Sequence, residues 1–147
     1  VPAIYFNSLF GTSNDEAKFV ITGNNRDVNR YKWNIQNILN KLNNKESKQS
    51  NFYQNITHLL NIRRKQKAFH PNGARYNLNF GSKIFAFKRV SLDKKQSIIC
   101  VTNLSSKIQN ITLNKTYLRW KNLIKLQSKL NKQLVLGPFE TIWLSNK

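Results

Sequence analysis

The chain has 147 residues and carries 25 lysines and arginines against 6 acidic residues, a formal net charge of +19. A charge of this size is typical of proteins that bind nucleic acid or another anionic surface. The lysines are scattered along the chain, however, and they occur with 22 asparagines, a bias that AT-rich coding DNA produces. We therefore attribute the charge to coding bias and do not expect nucleic acid as a partner.

Composition also argues against export and membrane insertion. The sequence has no run of eighteen apolar residues and no secretory signal at its start. Cys100 is the single cysteine, so a disulfide framework is excluded. We expect a cytoplasmic protein with no membrane partner. Because the sequence contains no methionine, we also expect it to start inside a longer reading frame.

The first third of the chain predicts one strand, one long loop and one helix. Residues 1–6, VPAIYF, are continuously apolar, which is typical of a strand buried on both faces of a parallel sheet. Residues 7–30 lack periodicity and predict a loop of the kind that carries function. Residues 31–42 predict a helix whose apolar side chains share one face, and residues 43–50 predict a polar linker.

Residues 51–69, NFYQNITHLLNIRRKQKAF, predict the main helix. Apolar side chains fall on one arc of it, Ser50 is a suitable N-cap, and basic residues cluster at its C-terminal end. Pro71 and Asn72-Gly73 predict its end. Arg63 lies within the apolar arc, so we expect its stem to pack on apolar surface while its head reaches solvent or an acid.

Beyond Gly73 the apolar period changes to two, which predicts strands joined by turns about every ten residues. This spacing favours an antiparallel β-sandwich. Residues 117–130 are ambiguous between a strand and irregular structure. The predicted strands are residues 76–80, 84–90, 97–104, 107–113, 134–136 and 139–144.

No catalytic constellation is visible in the sequence. Glycoside hydrolysis requires two carboxylates across one bond, and none of the six acids forms a convincing pair. His58 and His70 are not at a metal-ligand spacing. We therefore predict no catalytic residue, no metal site and no cofactor in this chain.

Residues 24–30, NNRDVNR, form the one polar cluster whose pattern suggests ligand binding. Amides beside a guanidinium and a carboxylate supply the donors and acceptors that hydroxyl-rich ligands require. The alternative is structural, because an Arg–Asp pair more often holds a loop in place. Composition alone does not separate the two.

Four segments in order, VPAIYFNSLFGTSND, NNRDVNRYKW, LLNIRRKQKAFHPNG and LGPFETIWLSN, resemble the last part of α-amylase family glycoside hydrolases. The similarity is to the sucrose phosphorylase-like branch, which includes glucosylglycerate phosphorylase-like enzymes. The resemblance implies an α+β chain. Residues 1–70 would be the last strand, the active-site loop and two helices of a (β/α)8 barrel, and residues 71–147 a small antiparallel β-sandwich domain.

The resemblance also implies a function. Active sites of such barrels lie at the C-terminal ends of the strands, so the loop of residues 7–30 would face the sugar. Arg26 matches an arginine that donates to a sugar hydroxyl, and Asn14 and Asp15 match a loop on the acceptor side. The family's catalytic carboxylates lie upstream of the last strand. The implied function is that of a catalytically incomplete C-terminal fragment of an enzyme that transfers glucosyl units by retaining phosphorolysis or hydrolysis, with an α-glucoside and phosphate as partners of the parent enzyme.

Two alternatives come from other classes of protein. A stand-alone carbohydrate-binding sandwich would need an exposed platform from Trp33, Trp120 or Trp143. A basic nucleic-acid-binding protein would need aromatic side chains within the basic run of residues 63–67, which contains none. We also expect self-association, because a barrel strand and helix without a barrel expose apolar surface.

Overall fold

The computed structural model describes residues 2–125 and 130–147. The chain divides into two compact units, Val1–Leu60 and Asn61–Lys147. Within the described residues, four α-helices come first and seven β-strands follow, so the chain is α+β as predicted. In the part of the chain that is described, none of the helices combines the length and apolar composition that a membrane crossing requires.

The predicted strand at residues 1–6 is wrong for its described part, residues 2–6; Val1 lies outside the described residues. Residues 2–5 have no regular structure, and helix α1, Phe6–Leu9, begins at the end of the segment. Tyr5 has an extended backbone, with φ −66° and ψ 142°, but pairs with no strand. A strand is stabilised by its neighbours' hydrogen bonds, and no described segment supplies them here. Ile4, Tyr5 and Phe6 are accordingly exposed.

The predicted loop at residues 7–30 is also wrong over much of its length. It contains helix α2, Glu16–Thr22, and a 3₁₀ helix, Asn25–Asn29. The Asp15 side chain caps α2 by accepting a hydrogen bond from the Lys18 backbone N–H at 3.1 Å. Gly23 ends α2 with a left-handed φ of 63°. Asp15 and Gly23, which lie within the predicted loop, are therefore helix caps.

The two longer helices of the chain were predicted, with different bounds. Helix α3 is Ile35–Asn43, and the Asn34 side chain caps it by accepting from the N–H groups of Gln36 and Asn37. Helix α4 is Lys48–Arg64, so it includes part of the predicted linker.

Ser50 is not the N-cap of α4. It lies inside the helix, where the Ser47 hydroxyl accepts a hydrogen bond from its N–H at 3.0 Å. The Ser50 hydroxyl donates to the Leu42 carbonyl, so the buried serine ties α4 to the end of α3. The final turn of the predicted helix is separate, as the 3₁₀ helix Lys67–Phe69.

The second unit contains two antiparallel sheets, as the period-two pattern predicted. The larger has the strand order β1-β2-β3-β7-β5, and the smaller pairs β4 with β6. The ambiguous residues 117–130 begin within a 3₁₀ helix, Lys115–Arg119, and contain the short strand β5, while residues 126–129 lie outside the described residues. The strands are β1 Ala74–Leu78, β2 Ile84–Val90, β3 Ser97–Asn103, β4 Gln109–Thr112, β5 Lys121–Asn122, β6 Gln133–Leu136 and β7 Thr141–Ser145.

The two faces of the five-stranded sheet have different neighbours. The inner face shares one buried core with the smaller sheet, formed by Ile84, Ala86, Ile99, Val101, Ile111, Leu113, Trp120, Leu130, Leu136, Ile142 and Leu144. On the outer face, Ile98 and Cys100 pack with Ala68 and Phe69 of the 3₁₀ helix. Gln96 fastens this helix to the sheet, because its side-chain oxygen accepts from the Ala68 N–H at 3.0 Å.

Candidate functional site

The first unit contains a polar cleft of about 410 Å³ around the predicted residue Arg26. We call it the amide-arginine cleft. Its lining combines two guanidinium groups, two side-chain amides and one phenol. The lining residues are Tyr5, Asn25, Arg26, Asn29 and Arg30.

The 3₁₀ helix Asn25–Asn29 positions most of this lining. The Asn24 side chain caps the helix by accepting from the Arg26 N–H at 3.0 Å. Residues three apart lie on the same side of a 3₁₀ helix, which places Arg26 and Asn29 together. The NNRDVNR pattern therefore forms a short helix that directs a guanidinium and an amide to one side.

Asp27, the acid of the same pattern, does not line the cleft. Its carboxylate lies 3.5 Å from the Lys18 ammonium. The pKa of Asp27 is lowered, mainly by a hydrogen bond from the Thr22 hydroxyl and further by Lys18. The acid thus holds α2 and the 3₁₀ helix together, while Arg26 stays free of a carboxylate among the described residues.

Asn14 lines a smaller hollow of about 140 Å³ next to the cleft. Tyr5 and Asn29 belong to both linings, so the structure brings Arg26 and Asn14 to adjoining surfaces. Asp15 lines neither. Its side chain caps α2, and its backbone N–H donates to the Val28 carbonyl at 2.7 Å, which fixes the hollow beside the 3₁₀ helix.

Sequence reasoning missed Tyr5 and Arg30 as members of the cleft. Tyr5 was assigned to a buried strand, whereas 54% of its surface is exposed. Arg30 lies four residues after Arg26, a spacing that could have indicated a second cation on one side of a helical turn. Asn7 supports the arrangement, because its buried side chain donates to the Tyr31 carbonyl at 3.0 Å.

The three tryptophans do not provide the exposed platform that a carbohydrate-binding module would need. Trp33 is partly buried and donates through its indole N–H to the Thr12 hydroxyl at 2.9 Å. Trp120 is buried in the second unit's inner core. Trp143 is partly buried on the outer face, with its ring 5.0 Å from that of Phe69.

The chemistry of the amide-arginine cleft is binding chemistry. Guanidinium and amide groups can hold several hydroxyl or carboxylate oxygens, and a tyrosine ring offers an apolar face to a sugar. The lining supplies no carboxyl group to act as nucleophile or general acid. Among the described residues, no three histidine, cysteine or acidic side chains come together as a metal site.

Comparison with known proteins identifies relatives along the whole chain. No family model matches. The chain is 30% identical over 145 residues to a glucosylglycerate phosphorylase of Escherichia coli K12, covering 98% of this chain and 25% of that protein. It is 28% identical over 159 residues to a glucosylglycerate phosphorylase of Spirochaeta thermophila, covering 99% and 27%. The chain thus spans about a quarter of the length of these relatives.

Solved structures show the same fold. The trehalulose synthase MutB, crystallised with sucrose, superposes with a TM-score of 0.55 at 18% identity, over 73% of this chain and 19% of that one. A maltogenic amylase from S. marinus gives a TM-score of 0.52 at 21% identity, over 67% and 13%. The resemblance to the C-terminal part of α-amylase family enzymes, in the glucosylglycerate phosphorylase-like branch, is therefore confirmed.

Proposed function

We propose that this chain acts as the C-terminal part of an α-amylase family enzyme that transfers a glucosyl unit from an α-glucoside to phosphate. The observation that carries the proposal is the similarity to glucosylglycerate phosphorylases over 98–99% of the chain. In this proposal the catalytic carboxylates belong to sequence outside the 147 residues. The chain supplies substrate contacts and the β-domain.

Within the proposed enzyme, the amide-arginine cleft holds the sugar. Arg26 donates to a hydroxyl of the glucosyl unit, and Arg30 and the amides of Asn25 and Asn29 complete the set of hydrogen-bonding groups around it. An arginine that contacts no carboxylate keeps all five of its N–H donors available for hydroxyl groups. Asp27 contacts Lys18, and Arg26 forms no ion pair among the described residues.

Asn14 is proposed to contact the acceptor from the adjoining hollow. Asp15 acts by positioning, since its carboxylate is engaged in capping α2 and orients the loop that presents Asn14. Residues 1–6 are proposed to form the last barrel strand when flanking strands are present. The extended backbone at Tyr5 and the exposed apolar side chains before α1 are compatible with this role.

A chimera tests the proposal. The corresponding quarter of the Escherichia coli glucosylglycerate phosphorylase would be replaced with this chain, and phosphate release or uptake would be assayed with glucosylglycerate. We expect an active chimera in which Arg26→Gln lowers kcat/KM about a hundredfold, because a charge-assisted hydrogen bond to the substrate is lost in the transition state. The charge-matched control is Arg119→Gln, an exposed arginine of the second unit.

Two results would overturn the proposal. Phosphorolysis of sucrose or glucosylglycerate by the purified 147-residue chain would show that no outside carboxylate is needed. A folded, active chimera in which Arg26→Gln and Arg119→Gln have the same small effect would show that the cleft does not bind the substrate.

A further inference from the structure

The outer face of the second unit contains a cavity of about 330 Å³ that three arginines line together. We call it the arginine pocket. Arg63 comes from the end of α4, Arg75 from β1 and Arg89 from β2. The remaining walls are mainly aromatic or apolar, from Phe69, Pro71, Phe87, Cys100 and Trp143.

Protein groups hold each of the three guanidinium groups in place. Arg89 donates to the backbone carbonyls of Ala68 and His70. The Arg63 guanidinium lies 5.1 Å from the ring centre of Phe69. The Arg75 guanidinium lies 5.0 Å from the ring centre of Phe87. Arginines fixed by rings and carbonyls lose little further side-chain entropy when a ligand binds.

The charge of the pocket has no counter-charge in the second unit. This unit has two acidic residues, Asp93 and Glu140, and their carboxylates contact Lys67 and Lys125 respectively. Among the described residues, none of the three pocket arginines forms an ion pair. Backbone carbonyls and ring faces orient the guanidinium groups but carry no full negative charge.

The register of β1 and β2 brings two of the positive charges close together, so that they repel each other. Arg75 and Arg89 are directly opposite each other in the β1–β2 pair, on the same face of the sheet. Like charges directly opposite on neighbouring strands are destabilising. A bound anion would remove this repulsion.

The thiol in the pocket does not neutralise the arginines. Burial raises the pKa of Cys100 to about 12, although Arg89 and Arg63 act in the opposite direction. At neutral pH Cys100 is therefore uncharged.

From these observations we infer that the arginine pocket binds a tetrahedral oxyanion of the phosphate class, either inorganic phosphate or the phosphate group of a monoester. Three guanidinium groups match the charge of a dianion better than that of a single carboxylate, and their planar N–H forks suit tetrahedral oxyanions. This inference does not rest on the proposed function, because the pocket belongs to the second unit and the sugar cleft to the first.

The test uses the complete 147-residue chain and inorganic phosphate as the probe, at constant ionic strength. Binding would be measured by calorimetry and by the ¹H–¹⁵N resonances of the arginine side-chain Nε–H groups. We expect saturable binding of phosphate and of sulfate, with the largest resonance shifts at Arg63, Arg75 and Arg89. Acetate should bind at least about tenfold more weakly, because it carries half the charge.

Variants locate the site. Arg75→Gln and Arg63→Gln should each weaken phosphate binding about tenfold, the effect of one lost charge-assisted hydrogen bond. Arg75 is exposed, so its replacement should leave the fold intact. Arg119→Gln removes the same charge from an exposed position at the end of a 3₁₀ helix of the same unit and should change the affinity less than about twofold.

Three outcomes would overturn the inference. The first is the absence of saturable phosphate binding by a chain that is shown by circular dichroism to be folded. The second is equal weakening by Arg119→Gln and Arg75→Gln, which would indicate diffuse attraction to a basic surface. The third is equal affinity for acetate and phosphate, which would indicate a carboxylate site.

A comparison of two ligands distinguishes the sources of the phosphate group. A monoester is supported as the ligand if glycerol phosphate binds more tightly than inorganic phosphate, and free phosphate is supported if glycerol phosphate binds more weakly.

Discussion

The two units of the chain bury their apolar side chains to very different extents. Among the described residues of the first unit, the buried apolar side chains are Phe10 and Ile38. The second unit buries two clusters, one on each face of its larger sheet. In the first unit Val20 and Ile21 remain 81% and 83% exposed. Local caps are thus sufficient to define helices, but only the paired strands of the second unit enclose a core.

This contrast implies that the second unit is the main source of thermodynamic stability. Burial of apolar area is the dominant favourable term in folding, and the first unit contributes little of it. The amide-arginine cleft therefore lies in the less stable unit and the arginine pocket in the more stable one.

The largest expected effect is at the inner core of the second unit. Leu144 is fully buried, and Leu144→Ala should lower the free energy of unfolding by about 2–5 kcal/mol, since it removes apolar contacts and leaves a cavity. Urea denaturation followed by circular dichroism measures the loss. The matched change in the first unit is Ile35→Ala at a side chain that is 70% exposed, for which we expect less than about 0.5 kcal/mol. Equal losses would contradict the contrast.

The next largest loss of stability is expected at a buried asparagine side chain. Asn103 is fully buried and donates to the carbonyls of Lys107 and Gly137, both at 2.7 Å, while its oxygen accepts from the Ser105 N–H. Asn103→Ala should destabilise the chain by about 1–3 kcal/mol, because these buried backbone groups lose their partner. Thermal unfolding would be compared with that of Asn110→Ala, an exposed asparagine of β4, which should unfold close to the unmodified chain.

Exposed apolar surface of the first unit should drive self-association. Ile21→Glu should lower the association constant about tenfold, the effect of removing one large apolar side chain from a contact. Light scattering or sedimentation over a concentration series measures it. Ile108→Glu changes a 63% exposed side chain of the second unit and should leave the constant nearly unchanged. A chain that stays monomeric at every concentration would show that this surface does not drive association.

The smallest effect is the pH dependence of one ion pair in the second unit. A hydrogen bond from Lys125 is the main cause that lowers the pKa of Glu140 below 4.5, and the Gly137 N–H adds to it. Because the folded pKa is the lower one, this stabilisation is complete above about pH 4.5 and is lost as the pH falls through the folded pKa. Glu140→Gln should therefore be less stable than the unmodified chain at pH 7, by less than about 1 kcal/mol, and equally stable in acid.

The control for this change is Glu46→Gln in the first unit. Glu46 forms no ion pair within the described residues. Its replacement should therefore leave the difference in the free energy of unfolding between pH 7 and acid unchanged. Denaturant titrations at a series of pH values measure both. A Glu140→Gln variant with the pH dependence of the unmodified chain would show that the ion pair does not contribute to stability.

Much of the second unit and the long helix could be read from the residues in order. Short runs rich in apolar residues between turns predicted β2 and β3 closely, and the apolar arc predicted α4, because these signals depend on residues a few positions apart. The family resemblance could be recognised in the same way. The local pattern singled out the cluster NNRDVNR, and the family resemblance singled out Arg26 within it; the role of Arg26 in binding stays a proposal.

Contacts between residues distant along the chain were decided only in the folded structure. VPAIYF has the composition of a strand, but a strand requires partners, and none of the described segments pairs with it. The ion pair of Asp27 with Lys18 depends on how distant segments fold back on one another. So does the cleft lining that brings Tyr5 and Arg30 beside Arg26. The arginine pocket depends on the register that sets Arg75 opposite Arg89 and on the 3₁₀ helix that brings Phe69 beneath Arg63. Periodicity is a property of neighbours in sequence, whereas pairing and convergence are properties of neighbours in space.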